Sequence, residues 1–106
     1  MGARTPVRVD VAERRDGAVL IRVTGELDVH TRLLLARSLA RHEDRRVLLD
    51  LAGVEFADTS GLTSIIGAES AAARAGGSVE IVAVSDVVRR LLKLTSAGSA
   101  LLRRSA

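Results

Sequence analysis

A chain of 106 residues holds one domain, since typical domains run to about 100–150 residues and two do not fit. Apolar residues make up 47% and charged residues 27%, which excludes intrinsic disorder, and no window reaches the ~18 consecutive apolar residues of a membrane span. The net charge is only +3, and fifteen of the sixteen cations are arginines spread along the chain; with one Phe and no Trp or Tyr to stack on bases, nucleic acid is not an expected partner.

In chain order, residues 1–6 read as a disordered N-terminal tail, and residues 7–106 as the folded domain. Val7-Arg8-Val9-Asp10-Val11 alternates with the period of a half-buried strand. Asp16-Gly17 marks a turn, and Val19-Leu20-Ile21-Arg22-Val23 completes a β-hairpin. Gly25-Glu26-Leu27-Asp28 breaks the alternation. Asp28, with Thr31 three residues on, is placed to cap a helix running to about His42 with Leu35 and Leu39 on its inner face. Val47-Leu48-Leu49-Asp50-Leu51 is a short apolar strand, and a loop of Ala52 to Ala57 follows it. Leu62, Ile65, Ile66, Glu69 and Ala73 then keep helical spacing until Gly76-Gly77 stops the helix. Val79 to Val84 is a further strand. Ser85-Asp86 opens a helix that turns Val88, Leu91 and Leu92 inward and closes near Gly98, and Leu101-Leu102 is expected as a short edge strand. The order β-β-α-β-α-β-α-(β) predicts an α/β domain with a mixed, mostly parallel sheet and right-handed crossovers.

Several chemistries lack their residues. There is no cysteine, so disulfides and thiolate metal sites are excluded, and His30 and His42 alone do not make a zinc site. Nucleophile-elbow and Walker patterns are missing, and Gly76-Gly77 precedes a strand instead of following one, so it is a helix stop and not a phosphate loop. No enzyme, metal or cofactor is expected. The N-terminus has no apolar run resembling a secretory signal, and the expected location is cytoplasmic, with no membrane partner.

Two segments remain. Phe56-Ala57-Asp58-Thr59-Ser60-Gly61-Leu62 joins a strand to a helix, where Asp58 can cap the first turn. Thr59 and Ser60 are then either ordinary first-turn residues or hydroxyls at a positive helix end, where a phosphate could be accommodated. Gly61 would let another backbone approach closely. Gly25-Glu26-Leu27-Asp28-Val29-His30-Thr31 makes a second strand-to-helix connection. In a mainly parallel sheet both leave the carboxyl ends of strands, the rim where α/β folds usually bind.

These segments resemble the STAS family, and within it the bacterial anti-sigma-factor antagonists. The first looks like the family's Asp-Ser/Thr-Ser/Thr-Gly-Leu phosphorylation motif, and the second like its Gly-Glu-Leu-Asp-x-x-Thr loop. The resemblance runs from about Val7 to Leu102. It implies a protein that binds an anti-sigma factor when unphosphorylated and so frees a sigma factor. That partner is typically a serine kinase, which inactivates the antagonist by phosphorylation, and a phosphatase restores it. By the same resemblance the phosphoacceptor falls on Thr59, with Ser60 as runner-up, and Glu26, Asp28, His30, Thr31, Asp58, Ser60, Gly61 and Leu62 face the partner. Thr63 stands where the family frequently has glycine. The alternative implied is an unphosphorylated scaffold or transporter-accessory module. The oligomeric state is left open.

Overall fold

The computed structural model describes residues 6–105, with the side chains of 104 and 105 outside the description. Four strands, β1 (Arg8–Glu13), β2 (Val19–Leu27), β3 (Arg46–Ala57) and β4 (Ser78–Val84), form one sheet in the order β1-β2-β3-β4. The hairpin of β1 and β2 is antiparallel; β2 with β3 and β3 with β4 are parallel. The helices are α1 (Arg32–Ala40), α2 (Thr59–Ala75), α3 (Asp86–Leu92) and α4 (Ser96–Ser105). The expected mostly parallel α/β sheet is therefore present. Of the expected tail, all but Pro6 lies outside the described residues.

Alternation along β2 divides the sheet into two unlike faces. Val19, Ile21, Val23 and Leu27 are fully buried, and Val47, Leu49 and Leu51 of β3 join them on the core side with Leu35, Ile65 and Leu92 from the helices. Each such side chain contributes about 1.5–3 kcal/mol by leaving water. The opposite face carries Arg22 paired with Asp50 (3.1 Å) and Arg46 paired with Glu80 (3.1 Å). Surface pairs of this kind add little stability, so the fold rests on the covered face.

Four sequence expectations need correction. First, β2 and β3 both run further than their alternation suggested, to Leu27 and Ala57. Register shifts between Arg22 and Thr24 and between Gly25 and Glu26 interrupt the period without ending the ladder, and Gly25 takes φ +91, a value glycine tolerates. The expected loop of Ala52 to Ala57 is strand. Second, α1 begins at Arg32 and not directly after Asp28, because Asp28 to Thr31 forms a turn of its own, and it ends at Ala40. Third, the spaced run read along α2 omits Ala72, which is buried there, and includes Ala73, which is exposed. Fourth, the Leu101-Leu102 edge strand is part of a helix. The chain turns at Lys93 to Thr95, Thr95 Oγ1 accepts from Gly98 N (2.9 Å), and α4 carries Leu101 into the core at 1% exposure. Gly98 closes no helix; it lets α4 cross the Leu92 carbonyl at a distance no side chain would permit.

Candidate functional site

The carboxyl ends of β2 and β3 lie side by side, with Leu27 opposite Ala57. Asp58 N extends that pairing by donating to Leu27 O (3.2 Å). The two connections that the sequence separates by thirty residues thus share one rim, as expected.

On the first connection, Asp28 is the one buried charged residue described, at 5% exposure. Its Oδ1 accepts from His30 N (2.9 Å) and Thr31 N (3.1 Å). Thr31 Oγ1 accepts from Asp28 N (3.0 Å) and donates to Glu26 O (2.7 Å). The Asp28–Thr31 exchange has the reciprocal form of a capping box, set one turn ahead of α1. Burial works against the Asp28 carboxylate, but the hydrogen bonds from His30 and Thr31 outweigh it and hold its pKa below the usual carboxylate range. Asp28 and Thr31 are therefore braces within the loop, with their polar atoms turned onto the chain. Glu26 is half-buried and His30 is exposed.

On the second connection, Asp58 is extended (φ −120, ψ 178) and Oδ1 accepts from Gly61 N (3.0 Å), the helix cap read from sequence. Thr59, the first residue of α2, is exposed and Ser60 is half-buried. Neither hydroxyl makes a hydrogen bond among the described residues. Thr63 donates from its hydroxyl to Thr59 O (2.8 Å), so its own oxygen is tied to the helix. Gly61 does permit a close approach, but by this chain: a Cβ there would collide with the Leu27 carbonyl and meet Leu27 Cγ at 2.8 Å. Gly61 and Leu62 are buried, so they shape the rim from within. The site thus presents Thr59, Ser60 and His30 outward, over a frame of Asp28, Thr31, Asp58 and Gly61.

Three features of this rim were not read from the sequence. Val29 (51% exposed) and Phe56 (38%) leave apolar surface on it. Beside Thr59, a small cleft of about 70 Å3 opens between α2 and α3, lined by Leu62, Thr63, Ile66, Leu91 and Leu94. The three-residue spacing of Leu91 and Leu94 was the available signal, but Leu91 was read onto the inner face of α3 and Leu94 was not considered. Among the described residues no His, Asp and Glu cluster could hold a metal ion, and no helix is long and apolar enough to cross a membrane.

The family model described as the STAS domain matches residues 11–101, most of the chain and both connections. The chain belongs to the STAS domain family. A curated relative, the anti-sigma F factor antagonist of Paenibacillus polymyxa, is 31% identical over 87 residues, covering 78% of this chain and 74% of that protein. The STAS fold recurs in an anti-sigma factor antagonist from Mycobacterium paratuberculosis, with TM-score 0.77 and 24% identity over 96% of this chain and 88% of that one. It also recurs in the Bacillus cell fate determinant SpoIIAA in its phosphorylated form, with TM-score 0.69 and 18% identity over 87% of this chain and 86% of that one.

Proposed function

We propose that this STAS domain is an anti-sigma-factor antagonist of the cytoplasm, regulated by phosphorylation. Unphosphorylated, it docks through the rim onto an anti-sigma factor of the serine/threonine-kinase type and so frees a sigma factor. The kinase transfers the γ-phosphoryl group of ATP to the Thr59 oxygen, releasing ADP and the hydroxyl proton. A phosphatase reverses the step. The domain itself supplies an acceptor and a surface, and no catalysis.

The observation that carries this reading is the Thr59 hydroxyl: exposed, without a hydrogen-bond partner among the described residues, and seated directly after the capping Asp58. A phosphate there adds about −1.5 to −2 charges beside Asp58 and near Asp28, and the helix end tolerates it. Repulsion and bulk at the rim then end binding without unfolding the domain. The relative from Paenibacillus polymyxa, an antagonist by name, supports the same reading.

The test is incubation with candidate kinase-type anti-sigma factors and ATP. No Lys or Arg lies between Arg46 and Arg74, so trypsin leaves Thr59 and Ser60 on one peptide. Fragmentation between the two residues locates the phosphate. It is expected on Thr59, and Thr59→Ala is expected to bind the kinase but accept none. Phosphate on Ser60 in the unaltered protein, with Thr59→Ala still fully modified, moves the acceptor. No transfer from any such kinase favours the scaffold role.

A further inference from the structure

A second concave surface lies between the outer edge of β4 and the helices α3 and α4. Its volume is about 380 Å3, within the range of small-molecule sites. Ile81, Val82, Ala83 and Val84 line it in succession. Side chains alternate across a strand, so a cleft that touches four in a row runs along the strand's edge and not over one face. β4 is the terminal strand of the sheet, Val82 is 51% exposed, and Leu102 of α4 closes the apolar floor.

Three cations stand around that floor: Arg89 on α3, Lys93 four residues on at the helix's C-cap, and Arg103 on α4. All three are exposed. None has a carboxylate partner among the described residues. A second cavity of about 370 Å3, lined by the hydroxyl-bearing Thr95, Ser96 and Ser99, shares Lys93 and Arg103 with the first. No carboxylate lines either cavity. Apolar floor, cations and hydroxyls therefore follow one another along one trough.

We propose that this trough binds a small amphipathic anion, with its phosphate or carboxylate head between Lys93 and Arg103 and its apolar body on Val82, Val84 and Leu102. Charge selects this occupant. A second copy of the chain would bring the same three cations edge to edge, and like charges at that distance repel. A bare anion would leave the apolar floor wet, and a neutral apolar molecule would leave the cations without a partner. The lining shares no residue with the Asp58–Gly61 connection, so the proposal stands apart from the phosphorylation reading.

The test is calorimetric titration of the full chain with octyl phosphate and octanoate, against inorganic phosphate and octanol. Both amphipathic anions are expected to saturate one site per chain. Inorganic phosphate and octanol should each bind at least about tenfold more weakly. Lys93 and Arg103 are exposed, so the double variant Lys93→Ala, Arg103→Ala should keep the fold, checked by circular dichroism, and lose about tenfold in affinity for octyl phosphate. Val82→Ser should weaken octyl phosphate and leave inorganic phosphate unchanged. Equal affinity for octyl and inorganic phosphate overturns the proposal, as does undiminished binding by the folded double variant. So does the lack of saturable binding below the micelle concentration. Binding of an acidic peptide without binding of octyl phosphate would assign the trough to a protein partner and also overturn it.

Discussion

Asp28 and Asp58 directly follow neighbouring strands, and each accepts a hydrogen bond from the main-chain N–H three residues on, at 3.1 Å from Thr31 and 3.0 Å from Gly61. The hydroxyls around them are used in opposite ways. In the first connection the hydroxyl stands three residues after the aspartate, where it folds back to exchange bonds with Asp28 and Glu26. In the second, hydroxyls stand one and two residues after the aspartate. The cap is completed by the Gly61 N–H, and the Thr59 and Ser60 side chains are left over. Position relative to the aspartate decides which connection is a brace and which is a presentable site.

The sharpest way to break this contrast is at Gly61. Its missing Cβ is what lets α2 start against the Leu27 carbonyl, so Gly61→Ala must shift the helix or the strand end. A loss of about 1–3 kcal/mol in urea unfolding is expected. An unchanged midpoint would show that the two connections are not packed as tightly as the Leu27–Gly61 contact requires.

Asp28→Ala comes next. The residue is buried and removal leaves the His30 and Thr31 donors without their acceptor, so Tm should fall by about 4–8 °C. The pH dependence sharpens the point. The folded Asp28 pKa is held below that of the unfolded chain, about 3.9, so its contribution is fully present above that value. It is lost as pH falls through the folded value. Asp28→Asn should therefore flatten the acid limb of the Tm-against-pH curve, and a limb of unchanged steepness would place the carboxylate outside the hydrogen-bonded brace.

Asp58→Ala removes a single cap bond and should cost about 0.5–2 kcal/mol by the same unfolding measurement. Thr59→Ala should cost least, within about 0.5 kcal/mol, because its hydroxyl supports nothing in the fold. A destabilisation as large as that of Asp28→Ala would make Thr59 a second brace and erase the contrast.

Much of this molecule was legible in its sequence because the relevant forces are local. The Asp16-Gly17 turn, the Asp58 cap, the Gly76 stop with φ +87 and the inward Leu35, Leu39, Val88 and Leu92 each depend on a few adjacent residues and the period of one element. Both motifs were legible for the same reason, as unbroken runs. The two strand ends were not, because ladder hydrogen bonds from a neighbouring strand carry β2 and β3 through irregularities that a one-dimensional period reads as a break. Nor was α4: Leu101-Leu102 is short and apolar, which suits a strand or a helix, and only the crossing of Gly98 over the Leu92 carbonyl selects the helix. The same limit separated Asp28 from Thr59. Sequence placed a carboxylate and a hydroxyl at two helix starts, but burial depends on the whole sheet edge. Tertiary structure turned one group inward onto its own loop and left the other facing water.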